Sequence, residues 1–265
     1  MIPSATIIGA GNTAWHVARV LSEAGWILNE LVYRDAKRLP LFADYPIRRI
    51  HNDVSAIHAG STLCFLCVPD RAISEVAASL PAHVRHDAVI VHMSGTTDAS
   101  VLETSARQYG CLWPIQTLVA GQTPHSRQIP VVVIASCPEA LDVLTRTGHQ
   151  FGPVYIAHSE QQKQKMHLTA VMTGNFIFGL LVSVKKYCDQ EQLDFTLLAP
   201  LIRESMEKGL MQPNAAAQTG PAARRDSQTL EKHRNLLANL PEMRTLYDAM
   251  THLIQKNQQK DENHW

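Results

Sequence analysis

The sequence lacks a charge of either sign in excess: 24 Lys and Arg stand against 24 Asp and Glu in 265 residues. Without a positive excess there is no bulk field to hold nucleic acid or an anionic membrane, and without an acidic excess there is no solvating tail. Long hydrophobic runs are also missing. The longest, residues 176–184, falls far short of the roughly 20 residues that a membrane helix needs. The opening residues, 1–9, carry neither a charged start nor a long apolar stretch, so no export signal is expected and the expected compartment is the cytoplasm. Cysteine is scarce and odd in number: Cys64, Cys67, Cys111, Cys137 and Cys188. That set does not make a disulfide framework. Cys64 and Cys67 form a C-x-x-C, but they sit in the apolar run 63–68, which reads as a buried strand. Residues three apart on a strand point to opposite faces, so these read as two core thiols rather than a redox or metal pair, and no metal site is expected.

What is present is a 45% hydrophobic, 18% charged composition, ordinary for a folded chain and wrong for a disordered one. The first part alternates short apolar runs with helical patterns. Strands are expected at 6–9, 27–33, 62–68, 88–92, 130–135 and 153–157, with helices at 13–24, 70–79 and 138–149 between them. Such alternation implies a doubly wound, parallel α/β sheet with helices on both faces. After residue 157 no strand pattern remains. Helices are expected at 161–188, 194–211, 226–238 and 241–256, the last with Met243, Leu246, Tyr247, Met250, Leu253 and Ile254 on one face. The expected organisation is an α/β domain over residues 1–157 and an all-α domain over 158–265.

Gly9-Ala10-Gly11-Asn12-Thr13-Ala14 matches G-x-G-x-x-A between a strand and a helix. Gly9 permits the tight turn, Gly11 lets a pyrophosphate approach the backbone, and Ala14 lets the helix pack close to the sheet. The free amides at the helix start favour an anion. About 20 residues further on, an NAD-binding protein places an acidic residue to accept from the ribose. Here that position is Arg34, in Tyr33-Arg34-Asp35-Ala36-Lys37-Arg38. A cation there, supported by Lys37 and Arg38, pairs with a 2′-phosphate, so NADP is expected in preference to NAD. Asp35 beside it keeps ribose recognition open.

Further segments accompany this turn: Cys67-Val68-Pro69-Asp70, His92-Met93-Ser94-Gly95, Trp113-Pro114-Ile115-Gln116-Thr117, His167-Leu168-Thr169-Ala170-Val171, Gly174-Asn175-Phe176 and Gln218-Thr219-Gly220-Pro221-Ala222. Together they resemble the bacterial family that joins a Rossmann-like NADP-oxidoreductase domain to a helical domain of unknown function. That family is related in fold to pyrroline-5-carboxylate reductase and the β-hydroxyacid dehydrogenases. The resemblance covers almost the whole chain. Two positions depart from its pattern. Trp113 stands where the family often has His, and Arg224-Arg225-Asp226 stands where Arg-Gly-Asp is common.

In an open parallel sheet the ligand lies across the carboxyl ends of the strands. Cys67, Val68 and Pro69 are then expected along the cofactor, with Asp70 as the cap of the next helix. His92, Ser94 and Gly95 are expected near the nicotinamide, with the Ser94 hydroxyl offered to a carboxamide or substrate and His92 half-buried. The stretch 168–184 is apolar almost all round, which implies burial on several sides, with Asn175 as a buried amide inside it. His167 and Asn175, eight apart, differ by about 80° on a helix and can border one cleft. Relative to β-hydroxyacid dehydrogenases the helix lysine is missing, since Val171 lies one turn before Asn175. His167 is the nearest group able to exchange a proton at neutral pH. Thr219, Gly220 and Arg224 are expected at a helix start suited to a substrate carboxylate, with Thr219 as the cap. The expected function is hydride transfer between NADPH and a C=O or C=N group of a small, carboxylate-bearing metabolite. His167 supplies the proton, Asn175 and Ser94 orient the substrate, and the C-terminal helices form a homodimer. The alternative is a sensor that binds NADP(H) without turnover.

Overall fold

The computed structural model describes residues 2–124, 126, 128–211 and 214–262. Eight strands form one sheet: β1 (Ser4–Ile8), β2 (Ile27–Val32), β3 (Ile47–His51), β4 (Leu63–Leu66), β5 (Val89–His92), β6 (Gln108–Pro114), β7 (Val131–Ala135) and β8 (Val154–Ile156). Their spatial order is β3-β2-β1-β4-β5-β6-β7-β8. All neighbours are parallel except β6 and β7, which run antiparallel. The expected all-parallel sheet therefore holds only as far as β6. Among the described residues no helix crosses over between β6 and β7, and without a crossover the returning strand pairs in the opposite sense.

Helices cover both faces. On one side α1 (Asn12–Glu23) and α4 (Pro138–Phe151) bury Ala14, Val17, Leu21, Ala140 and Leu144 against Ile7, Phe65, Val91 and Val131. On the other, α2 (Ile73–Ala78) and α3 (Ala82–Asp87) bury Ile73, Ala77 and Val84 against Ile8, Cys64, Leu66 and Ile90. Cys64 belongs to one core face and Cys67 packs on the other, as strand alternation requires. Burial pushes both thiols up, Cys64 to about 12.

Two strands were not expected from the sequence. Edge strand β3 carries Arg48 and Arg49, exposed charges that protect an edge from further pairing and also hide its pattern. In β6, Gly110 interrupts the apolar signal, yet it is required. A Cβ there would run into the Ile134 carbonyl and the Leu144 side chain, so glycine lets β7 and α4 close on β6. A register shift at Ala5/Thr6 skips Asn29 and pairs Thr6 with Glu30. The shift turns Glu30 inward, where His51 Nε2 lies 2.7 Å from Oε2 and the His58 amide donates to Oε1 at 2.8 Å.

The expected helix 161–188 is in three pieces: α5 (Glu160–Ala170), a π turn (Val171–Asn175) and α6 (Phe176–Gln190). The run of 31 residues is long and apolar enough to cross a membrane by length and composition. Its first part is committed elsewhere: Lys163 is fully buried and the Glu160 carboxylate accepts from the Ala99 amide at 2.7 Å. The chain divides into compact units at residues 1–175 and 176–265, so α5 and the π turn group with the sheet.

The second unit holds α6, α7 (Ala199–Met211), α8 (Ser227–Leu236) and α9 (Pro241–Glu262). Asp226 caps α8, accepting from the Thr229 amide at 3.1 Å. Arg234 Nε binds Asp248 at 2.8 Å, and His233 Nδ1 lies 2.8 Å from the Tyr247 hydroxyl, joining α8 to α9. The expectation that stretch 168–184 is buried is not met within the chain. Leu168, Met172, Phe176 and Phe178 are exposed, as are Leu197, Leu201, Leu210, Leu246 and Met250.

Candidate functional site

The glycine turn is built by two different constraints. Gly9 has φ +106°, its amide donates to the Val32 carbonyl at 2.8 Å, and a Cβ would collide with the Cys67 carbonyl. It therefore serves the fold, letting β1 and β4 come together at their carboxyl ends. Gly11 is the N-cap of α1. It has an ordinary φ of −87°, no side chain caps the helix, and no acidic residue stands in the first turn. A Cβ on Gly11 would meet nothing within 4 Å, so what glycine leaves there is open space beside the uncapped amides of Asn12, Thr13 and Ala14. That space is part of a cleft of about 290 Å³, lined by residues 11–13, 67–70 and 93–94. The three segments follow β1, β4 and β5. Ala10 and Ala14 are buried behind it.

At the end of β2, the Tyr33 amide donates to the His51 carbonyl at 2.9 Å. Arg34, Lys37 and Arg38 are exposed, and none enters an ion pair among the described residues. Asp35, the rival ribose ligand, turns back to accept from the Lys37 amide at 3.0 Å and caps the short 3-10 turn Ala36–Phe42. The unpaired charge at this strand end is thus positive.

The reacting end differs from expectation in several places. Asp70 does not cap a helix. Its Oδ2 accepts from the Ser94 hydroxyl and from the Thr96 hydroxyl, each at 2.8 Å. Burial works to raise its pKa, but hydrogen bonds from Ser94, Thr96 and Thr97, together with nearby His92, outweigh burial and hold the carboxyl below its ordinary range. The Ser94 hydroxyl, expected to face a ligand, also accepts from the Thr96 amide at 3.2 Å and the Thr97 amide at 3.0 Å. Thr97 Oγ1, 3.0 Å away, is a second acceptor for its one proton; one donation and two acceptances use a hydroxyl's whole capacity, so Ser94 is the hub of its own loop.

His92 is fully buried rather than half-buried. Its Nδ1 accepts from the Ser94 amide at 3.2 Å, which places the proton on Nε2. The Asp98 carbonyl favours that proton, yet no acceptor reaches hydrogen-bonding geometry with Nε2. Burial, and then the charge of Lys163, push the imidazole down to about 4. Gly95 is buried too, and a Cβ on it would strike the His167 ring and the Trp113 indole. Neither His92 nor Gly95 lines the cleft; they shape the loop behind it.

Sequence reasoning missed Lys163. Its ammonium donates to the Thr97 carbonyl and lies 2.9 Å from the Glu160 carboxylate. One turn on, the His167 ring packs on Trp113, with centroids 5.2 Å apart and planes at 60°. Lys163 and His167 thus hold the 94–97 loop from the same helix face. The first half of α5 is polar all round, so the sequence offers no period to single out a buried lysine. Asn175 is exposed at the end of the π turn, and that turn breaks the phase on which the 80° offset from His167 rested. Thr219, Gly220 and Arg224 lie in the second unit, in turns before α8. Gly220 has φ +106° and its carbonyl accepts from the Arg224 amide at 3.1 Å. Asp226, not Thr219, is the cap, because the helix begins only at Ser227.

Strand order, glycine turn and open cleft define a Rossmann-like protein with a helical unit appended. Residues 4–116 match the model of a Rossmann-like domain and residues 129–254 that of a domain of unknown function, DUF2520. The chain thus carries the two domains in succession. It is similar to a candidate NADP oxidoreductase from Bacteroides fragilis, with 26% identity over 96% of this chain and 98% of that one and a TM-score of 0.86. It is also similar in fold to a pyrroline-5-carboxylate reductase from Coxiella burnetii, at 14% identity over 98% of each chain and TM-score 0.61. A reductive aminase from Aspergillus terreus, solved with NADPH and ethyl-5-oxohexanoate, has 14% identity over 97% of this chain and 93% of that one and TM-score 0.69. No curated protein matches the sequence.

Proposed function

We propose that the chain is an NADP-dependent oxidoreductase that transfers hydride between NADPH and a C=O or C=N group of a small metabolite. The observation that carries this reading is the uncapped start of α1 beside the open space at Gly11. Amides without partners and the positive helix end suit a pyrophosphate. Gly9, Ala10, Gly11, Asn12, Thr13 and Ala14 would hold it. Tyr33, Arg34, Lys37 and Arg38 would take the adenosine end, where the free cations favour a 2′-phosphate. Cys67, Val68 and Pro69 would flank the nicotinamide half. When bound, the reduced coenzyme supplies the hydride.

The chain's own contribution is a rigid, partly dry wall. Lys163 and His167 fix the 94–97 loop, and that loop fixes Asp70. For a carbonyl substrate the proton would come from His167, and Asn175 would contact the substrate; the Thr219–Gly220–Arg224 turn of the helical unit would bind a carboxylate. The uncovered apolar faces of the second unit support a homodimer formed through these helices, in the cytoplasm. A second reading, a sensor that binds NADP(H) without turnover, is favoured by one observation: among the residues lining the cleft none exchanges a proton near neutral pH.

Titration of the full chain with NADPH and NADH, followed by single-turnover oxidation of bound NADPH against ketones and cyclic imines, tests the proposal. The expected result is preference for NADPH, reduced about tenfold in Arg34→Ala, and oxidation by at least one class. Binding without oxidation supports the sensor; absence of binding overturns both.

A further inference from the structure

We infer that Asp70 is a specificity residue that selects a positively charged carbon–nitrogen centre, an iminium ion or the corresponding ammonium, at the reacting end of the cleft. The inference rests on the oxidoreductase reading and narrows it. Asp70 is the sole charged residue among those lining the cleft, and no Lys or Arg pairs with it among the described residues. The groups beside it cannot bind an anion or a carbonyl oxygen well. The Thr96 hydroxyl spends its proton on Asp70 Oδ2, and the single Ser94 proton is taken by Asp70 Oδ2 at 2.8 Å or by Thr97 Oγ1 at 3.0 Å. Ser94 further spends its lone pairs on two amides. This edge of the cleft therefore presents negative charge and acceptor lone pairs, with neither the Ser94 nor the Thr96 hydrogen left to stabilise a carboxylate or a developing alkoxide. Lys163, the nearby ammonium, is turned away to Thr97 and Glu160 and is fully buried.

An acceptor-lined wall with a lone carboxylate fits N–H donors and cations. The chemistry is consistent with the lack of a proton donor among the residues that line the cleft. A ketone needs a proton as its oxygen gains charge, and His167 is packed onto Trp113 and Gly95. An iminium carries its charge in advance. Its carbon accepts the hydride, the π pair moves to nitrogen, which becomes a neutral amine, and the positive charge passes to the oxidised coenzyme. No proton is taken up. Positive charge stays beside Asp70 on both sides of the step.

The test compares wild type with Asp70→Asn, which keeps an acceptor for Ser94 and Thr96. The binding arm uses calorimetry on the NADP complex with pyrrolidinium against cyclopentanol. Wild type is expected to favour the cation by about 30-fold, and Asp70→Asn to lose that preference while its NADPH affinity stays within about threefold. The turnover arm uses 1-methyl-1-pyrrolinium, which has no acidic N–H, against cyclopentanone. Faster single-turnover reduction of the iminium, lost in Asp70→Asn, supports the inference. Equal binding of the two analogues, or equal behaviour of the two proteins, overturns it. If no compound is reduced but the cation preference in binding survives, the oxidoreductase reading fails and Asp70 recognition stands.

Discussion

The two glycines of the opening turn carry opposite predictions. At Gly9 an added methyl meets a backbone carbonyl, and the Cys67 carbonyl carbon lies only 2.8 Å from the ideal Cβ. That carbonyl has little freedom, because the Cys67 amide is bonded to the Ile8 carbonyl at 2.8 Å. The residue also needs φ +106°, which costs an L side chain about 1–2 kcal/mol. Overpacking against backbone adds about 1–3 kcal/mol. Gly9→Ala should therefore lose about 3 kcal/mol of stability, a large share of the total for an ordinary domain. Gly11→Ala meets no atom and has an ordinary φ. Its stability should stay within about 0.5 kcal/mol, or rise slightly by restricting the unfolded chain. Its methyl, however, projects into the space assigned to the pyrophosphate, and NADPH affinity should fall about 10- to 100-fold, the equivalent of 1–3 kcal/mol of steric cost. Urea denaturation and fluorescence titration of NADPH measure the two quantities separately. A Gly11→Ala protein that binds NADPH like wild type would refute the placement of the coenzyme. A Gly9→Ala protein as stable as wild type would refute the assignment of that glycine to the fold.

Acid should destabilise the sheet unit through His92. Burial keeps its imidazole neutral in the folded state down to about 4, against an ordinary value of 6.5. The unfolded chain takes up this proton first as pH falls, so the stability is whole above 6.5 and declines towards pH 4, by about 3 kcal/mol in all. His92→Asn, which can still accept from the Ser94 amide, should flatten the pH dependence of urea unfolding between those limits; an unchanged slope would exclude His92 as its source. Lys163→Met should cost about 3 kcal/mol by leaving Glu160 without its cation. Adding Glu160→Gln should recover most of the loss, and a double variant as unstable as the single one would show that the pair is not what Lys163 contributes.

Much of the α/β unit was legible because its signals are local. The run Thr6-Ile7-Ile8 before Gly9, the small residues after it, and the apolar stretches at β4, β5 and β7 each satisfy a short-range rule. β3 and β6 escaped because edge arginines and Gly110 answer to neighbours that only pairing reveals. The same division runs through the site. The glycine turn and the arginine beyond β2 could be read from spacing. The roles of Asp70, Ser94 and Lys163 could not, since their partners stand 24, 26 and 66 residues apart. Ser94 could be picked out as a hydroxyl at a strand end, but not as one whose bonds are already full.

By itself the sequence determined that a strand, a glycine bend and a helix follow one another, and that a cation stands at the position beyond the second strand where an acidic residue would take the ribose. These are properties of neighbours along the chain, governed by backbone conformation and by charge type. Only the tertiary structure decided which polar groups are consumed in holding the loop after β5 and which remain open to the cleft. Hydrogen-bond capacity is finite and is shared among residues brought together from distant strands, so the chemistry left for a ligand is what folding does not use.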